Sequence, residues 1–180
     1  MLDAGGELFL RRGYAGLGLR ELLDAVAVSK GAFYHFFPSK EAFAVAVLDQ
    51  YLEQRVGAIN GHFARGVDLA TMLNWLRLDW QAQVAADFVP RCLLRRLAED
   101  VGSGMPAEPL RAGLDSLAAA LAAALATGQA SGGIYPDLDP LAAAWHVLDL
   151  WHGATTRARV QRDDSAPRAA VVHLEAWLKP

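Results

Sequence analysis

Between residues 29 and 40 stand five side chains whose polar groups suit phosphate oxygens or base edges: Ser29, Lys30, Tyr34, His35 and Lys40. Hydroxyl, ammonium and imidazole groups donate to phosphate, and Lys30 and His35 are the candidates to reach base edges in a major groove. Gly31 lies among them and leaves room for close backbone approach, while Ser29 can also cap a helix start. Arg20, nine positions before Ser29, adds a charge able to touch the backbone or a base. The chemistry points to duplex DNA as a partner.

These groups need two short helices and a tight junction, the arrangement of a helix-turn-helix. The apolar pattern from Leu19 to Val26 supplies one helix and Lys30 to Phe36 the other. Phe33, Phe36 and Phe37 are expected in the core, because apolar residues at helical spacing are usually buried. A helix from Leu2 to Arg12, stopping at Gly13, completes a small head. Pro38-Ser39 breaks the chain, and Ser39 can cap a long helix from Lys40 to about Phe63.

A second chemistry resides in Cys92, the single cysteine. Placed about three residues into a helix opened by Pro90 and running to about Val101, it would lie near unpaired amides and the positive end of the dipole. Arg95 and Arg96 would share its side. That setting favours a thiolate, the form that attacks oxidants and Michael acceptors; an inert buried thiol is the competing reading. Trp75, Trp80, Phe88, His146 and Asp149, with Trp151, are candidates to wall a small-molecule effector site. They describe a helical core equally well. His146 and Asp149 are three apart but make a weak metal pair, since no third ligand stands at suitable spacing, so neither a metal nor a cofactor is expected.

The remaining pattern is helical: about Leu69 to Ala86, Leu110 to Ala126, Pro140 to Val160 and Arg168 to Leu178, with Leu114, Leu117, Leu121 and Leu125 at heptad-like spacing. Hydrophobic residues are 53% and charged residues 21% of the 180, enough for a real core, and strand-like alternation is nearly absent. The fold class expected is all-α. A net charge of −3 argues against non-specific coating of nucleic acid. Residues 1–41 are themselves neutral, with five basic and five acidic side chains. One cysteine excludes an internal disulfide framework and fits a reducing cytoplasm. No run of roughly 18 uninterrupted apolar residues suggests a membrane span, and Asp3 and Glu7 interrupt any leader-like start. No phosphate loop, nucleophile elbow or metal cluster is present, so no catalytic residues are assigned and an enzyme is not expected.

Together, Leu8-Phe9, Gly13-Tyr14, Arg20-Glu21-Leu22, Val28-Ser29-Lys30-Gly31, Tyr34-His35-Phe36 and Phe37-Pro38-Ser39-Lys40-Glu41 resemble the DNA-binding domain of TetR-family bacterial transcriptional regulators. The resemblance implies a three-helix DNA-binding head over residues 1–45, and an effector-binding and dimerisation body over 46–180. The helix after Ser29 would be the recognition helix, with Tyr34 and Lys40 holding phosphates, and two copies would pair through the last two helices to bind a double-stranded operator. Arg91-Cys92-Leu93-Leu94 and Leu97-Ala98-Glu99-Asp100 are similar to the body of electrophile- and acrylate-responsive members, implying repression relieved by a small-molecule or electrophilic effector. Two departures stand out. Leu17 and Gly18 occupy the place where the family has a capping Thr or Ser, and no basic residues precede the first helix. A helical interaction module that has lost DNA binding is the alternative they leave open.

Overall fold

The computed structural model describes residues 1–88 and 91–180. Among these residues nine α-helices form and strands are absent, apart from one isolated bridge between Val101 and Met105. They are α1 (Leu2–Arg12), α2 (Leu19–Val26), α3 (Lys30–Phe36), α4 (Lys40–Phe63), α5 (Leu69–Ala85), α6 (Leu93–Ala98), α7 (Ala107–Ala130), α8 (Pro140–Gln161) and α9 (Ser165–Leu178).

Helices α1 to α4 fall where the sequence pattern places them, and α3 and α4 carry side-chain N-caps. Ser29 Oγ accepts from the Ala32 N–H at 3.2 Å and Ser39 Oγ from the Ala42 N–H at 3.0 Å. Helices α7 and α9 start three residues earlier than the sequence pattern suggests. Pro109 and Pro167 fall in their first turns, where a missing N–H leaves no hydrogen bond unmade. Helix α6 is shorter than expected at six residues. Its expected opening residue, Pro90, lies outside the described residues.

The chain divides into two compact units. The first holds Met1–Arg55 with Val89–Ser116, so α6 packs with the head helices. Its core is aromatic at one end, where Phe33 lies 5.4 Å from Phe43 and 5.6 Å from Phe37 between ring centroids. It is aliphatic at the other, with Leu93, Leu94 and Leu97 of α6 buried.

The second unit holds Val56–Phe88 and Leu117–Pro180. Asp68 caps α5, accepting from the Thr71 N–H at 2.7 Å and hydroxyl at 2.6 Å; these bonds hold its pKa below the ordinary aspartate value. Helices α8 and α9 pack along each other, and α9 also packs on α5. The Asp79 carboxylate on α5 accepts from Trp151 Nε1 of α8 and from Gln83 Nε2, each at 2.9 Å. Helix α7 is the one described helix long and apolar enough by composition to cross a membrane. It carries Arg111 and Asp115 and buries Leu110, Leu117, Leu121 and Leu125, as a core helix does.

Candidate nucleic-acid interface and its link to the thiol

Ala27 in the left-handed region (φ 54°) turns the chain from α2 into α3. Arg20, Ser29 and Lys30 then line one notch between the two helices, together with Asp24. Lys30, Gly31, Tyr34 and His35 are all exposed on α3, and the Lys30 ammonium lies 6.0 Å from the centre of the Tyr34 ring. Six of the seven residues expected at DNA therefore occupy accessible positions on α2, α3 or the turn before α3. The N-cap of α2 is Gly18, which provides no side-chain cap, while Leu17 is fully buried.

The expectation that Phe33, Phe36 and Phe37 all enter the core is corrected at Phe36, which is 65% exposed. Helix α3 ends at this residue and Phe37 is extended (φ −130°). The change of backbone direction carries Phe37, and not Phe36, onto Phe43 at 5.0 Å.

A Cβ at Gly31 would meet open space, so no neighbour within the chain demands glycine there. Gly31→Ala is expected to stabilise the protein by up to about 0.5–1 kcal/mol through helix propensity while weakening duplex binding. Thermal melts read the first effect and fluorescence anisotropy the second. Unchanged DNA affinity would leave Gly31 without an interface role.

Lys40 departs from its expected place at a phosphate. Its ammonium donates to the carbonyl oxygens of Tyr14 and Leu17 and lies 4.2 Å from the centre of the Tyr14 ring. Burial lowers the Lys40 pKa below the usual lysine value, and the Asp100 carboxylate opposes that shift. Burial, and secondarily Glu41, raise the Tyr14 phenol pKa. The lysine thus fastens the α1–α2 connection to the start of α4. Lys40→Ala is expected to cost about 2 kcal/mol of stability, since hydrogen bonds from a charged donor contribute about 1.5–3 kcal/mol each and this group is only part-buried. The salt dependence of DNA binding should not change; a phosphate contact would lower its slope by about 0.9 per lysine.

The same connection is held from α6. Asp100 Oδ2, just beyond the helix, accepts from the Tyr14 N–H at 2.6 Å. Arg96 lies 2.7 Å from Glu99 and 3.8 Å from Asp100, and its guanidinium covers Gly13. Gly13 adopts φ 73°, ψ 177°, a region open essentially to glycine, and a Cβ there would collide with Arg96. In the sequence, Tyr14 and Asp100 belong to two separate patterns. Nothing in a sequence pairs residues 86 positions apart.

Cys92 is half-buried and is the N-cap of α6, not its third residue. Its carbonyl accepts the Arg96 N–H at 3.1 Å, the first turn of the helix. Both arginines are committed to acids, Arg95 approaching Glu99 at 3.7 Å. The thiol and the Asp100–Tyr14 bond are thus the two ends of one short helix within the first unit.

Among the described residues, the other expected effector residues contact different neighbours. Trp75 packs on Phe63 at 6.0 Å. Trp80 shares a groove with Trp151, Arg77 and Arg168. Phe88 is in the left-handed region (φ 60°), between Trp80 at 5.7 Å and the Arg162 guanidinium at 5.1 Å. Asp149 lines a different groove with His173, and His146 meets Trp177 at 4.5 Å between ring centroids.

The family described as "Bacterial regulatory proteins, tetR family" matches residues 1–47, and "Tetracyclin repressor-like, C-terminal domain" matches residues 73–174. The HTH-type transcriptional repressor NemR of Escherichia coli (strain K12) is 29% identical over 97% of this chain and 90% of its own length. The transcriptional regulator AcuR of Cereibacter sphaeroides is 29% identical, covering 89% of this chain and 75% of that protein. Among solved structures, the reduced form of E. coli NemR superposes with a TM-score of 0.84 at 28% identity, over 98% of this chain and 94% of that one. A regulatory protein TetR from Rhodobacter sphaeroides gives 0.86 at 25% identity, over 98% and 96%. With a helix-turn-helix head matched at one end and the family's body matched over most of the rest, the chain belongs to the TetR family of bacterial transcriptional regulators.

Proposed function

We propose that this regulator is a repressor that holds operator DNA with α3 and Arg20, and releases it when an electrophile modifies Cys92. The observation that carries this reading is the continuity of α6. Its N-cap is the thiol, and the residue that grips Tyr14 beside the helix-turn-helix stands just past its end. Addition of the thiolate to an electron-poor alkene forms a C–S bond at the β-carbon, while the α-carbon takes a proton from water. The added bulk at the N-cap of a six-residue helix displaces the helix and pulls on Asp100. The solved structure of E. coli NemR, 28% identical to this chain, is described as a reduced form.

Family members bind operator DNA and typically form dimers. In this chain Val160 and Val172 of the last two helices are 79% and 65% exposed, which supports pairing through α8 and α9. The assembly acts in the cytoplasm and does no catalysis.

The uncapped α2 and the neutral head favour one second reading, a helical interaction module without DNA binding. Anisotropy titration of labelled duplex from the gene's own upstream region separates the two. The regulator binds at low salt, weakens steeply as salt rises and prefers a palindromic segment. No binding at low salt would support the module.

A further inference from the structure

The strongest unassigned chemistry lies on the last two helices. His146 of α8 and His173 of α9 direct their Nε2 atoms at each other across 3.5 Å, with ring centroids 5.7 Å apart. Both side chains are exposed in the single chain and stand on the helices through which the proposed dimer pairs. At 3.5 Å an N–H···N hydrogen bond is beyond its favourable range of about 2.7–3.2 Å, so the pair gains little from sharing a proton. Two imidazole nitrogens bound about 2.0–2.1 Å from a tetrahedral ion lie about 3.3–3.4 Å from each other, which is nearly the separation already present. The Trp177 ring against His146 and the close packing of α8 on α9 hold the imidazoles in this relation.

We infer that His146 and His173 form an interhelical site for one divalent transition-metal ion of the imidazole-binding kind, such as Zn2+ or Ni2+. Each imidazole binds through Nε2 in the tautomer that carries its proton on Nδ1, and water fills the remaining positions. Among the described residues no group of three or more His, Cys, Asp or Glu side chains could hold a metal, so the site is one of two protein ligands with exchangeable waters. Asp149 lines the same groove as His173. Hard cations such as Mg2+, which prefer oxygen ligands, are not held.

Calorimetric titration with ZnCl2 and NiCl2 tests the site, using the full chain in a Cys92→Ser background so that the thiol does not compete. One ion should bind per chain, and His146→Gln and His173→Gln should each weaken binding at least about tenfold, with the double replacement doing little more. His35→Gln serves as the distant control and MgCl2 should give no binding. Melting curves with and without Zn2+ give a second readout, since an ion bound only to the native state raises Tm in the parent and not in either variant. Parent-like affinity in either histidine variant, or a loss below tenfold, would overturn the proposal.

Discussion

Replacing Lys30 and Tyr34 together with alanine is expected to weaken operator binding by about a thousandfold, with the fold intact. Both side chains are exposed on α3, and no hydrogen bond or ion pair within the described residues is assigned to either. Their removal therefore leaves no buried group unsatisfied, and thermal stability should fall by less than about 0.5 kcal/mol. At DNA, each loses a hydrogen bond to a phosphate or base edge worth about 1 kcal/mol at a solvated interface. A dimer makes each contact twice, giving about 4 kcal/mol, or about three decades in affinity. Lys30 alone carries charge, so the salt slope should drop by about 2 per dimer at most. Anisotropy titrations at several salt concentrations, paired with melting curves, read both numbers. An affinity loss under tenfold would move the interface away from α3.

The second large effect concerns transmission. Asp100→Ala should leave a chain that still binds DNA but responds weakly to modification of Cys92. The substitution removes the acceptor of the Tyr14 N–H and the partner Arg96 approaches at 3.8 Å. Leaving that part-buried donor unpaired costs about 1–3 kcal/mol, which a melt will register. The diagnostic result is functional: N-ethylmaleimide should shift the DNA dissociation constant at least about tenfold less in Asp100→Ala than in the parent, a loss of about 1.4 kcal/mol of coupling. If the variant releases DNA as fully as the parent, the signal does not travel through this bond. Leu93, Leu94 and Leu97 keep α6 packed in either case, so loss of response would not reflect an unfolded helix.

Much of the head was legible because its signals are local. Ser29 and Ser39 cap within three residues, and the apolar spacing of Leu19 to Val26 needs no partner to be read. Three aromatic residues at 33, 36 and 37 were a harder case. Which of them reaches the core depends on where α3 stops, and the pattern alone does not carry that boundary. The role of Lys40 was hidden for a different reason. Its acceptors are backbone carbonyls 23 and 26 positions earlier, and a carbonyl has no identity in a sequence. In sequence His146 pairs by spacing with Asp149 on its own helix, whereas its imidazole meets His173 on the next helix, 27 residues away. In the body the aromatic residues were recognisable as a class. Their partners were not, because a Trp against Phe63 and a Trp in an open groove look alike as letters.

The central claim is that Cys92 controls the grip of the helix-turn-helix on DNA from within the first unit. It is tested most directly by titrating protein onto a labelled duplex from the gene's own upstream region, before and after N-ethylmaleimide, in the parent and in Cys92→Ser. Affinities should be equal before treatment, fall at least about tenfold in the parent after it, and stay unchanged in Cys92→Ser. Equal release from both proteins, or undiminished binding by the modified parent, would contradict it.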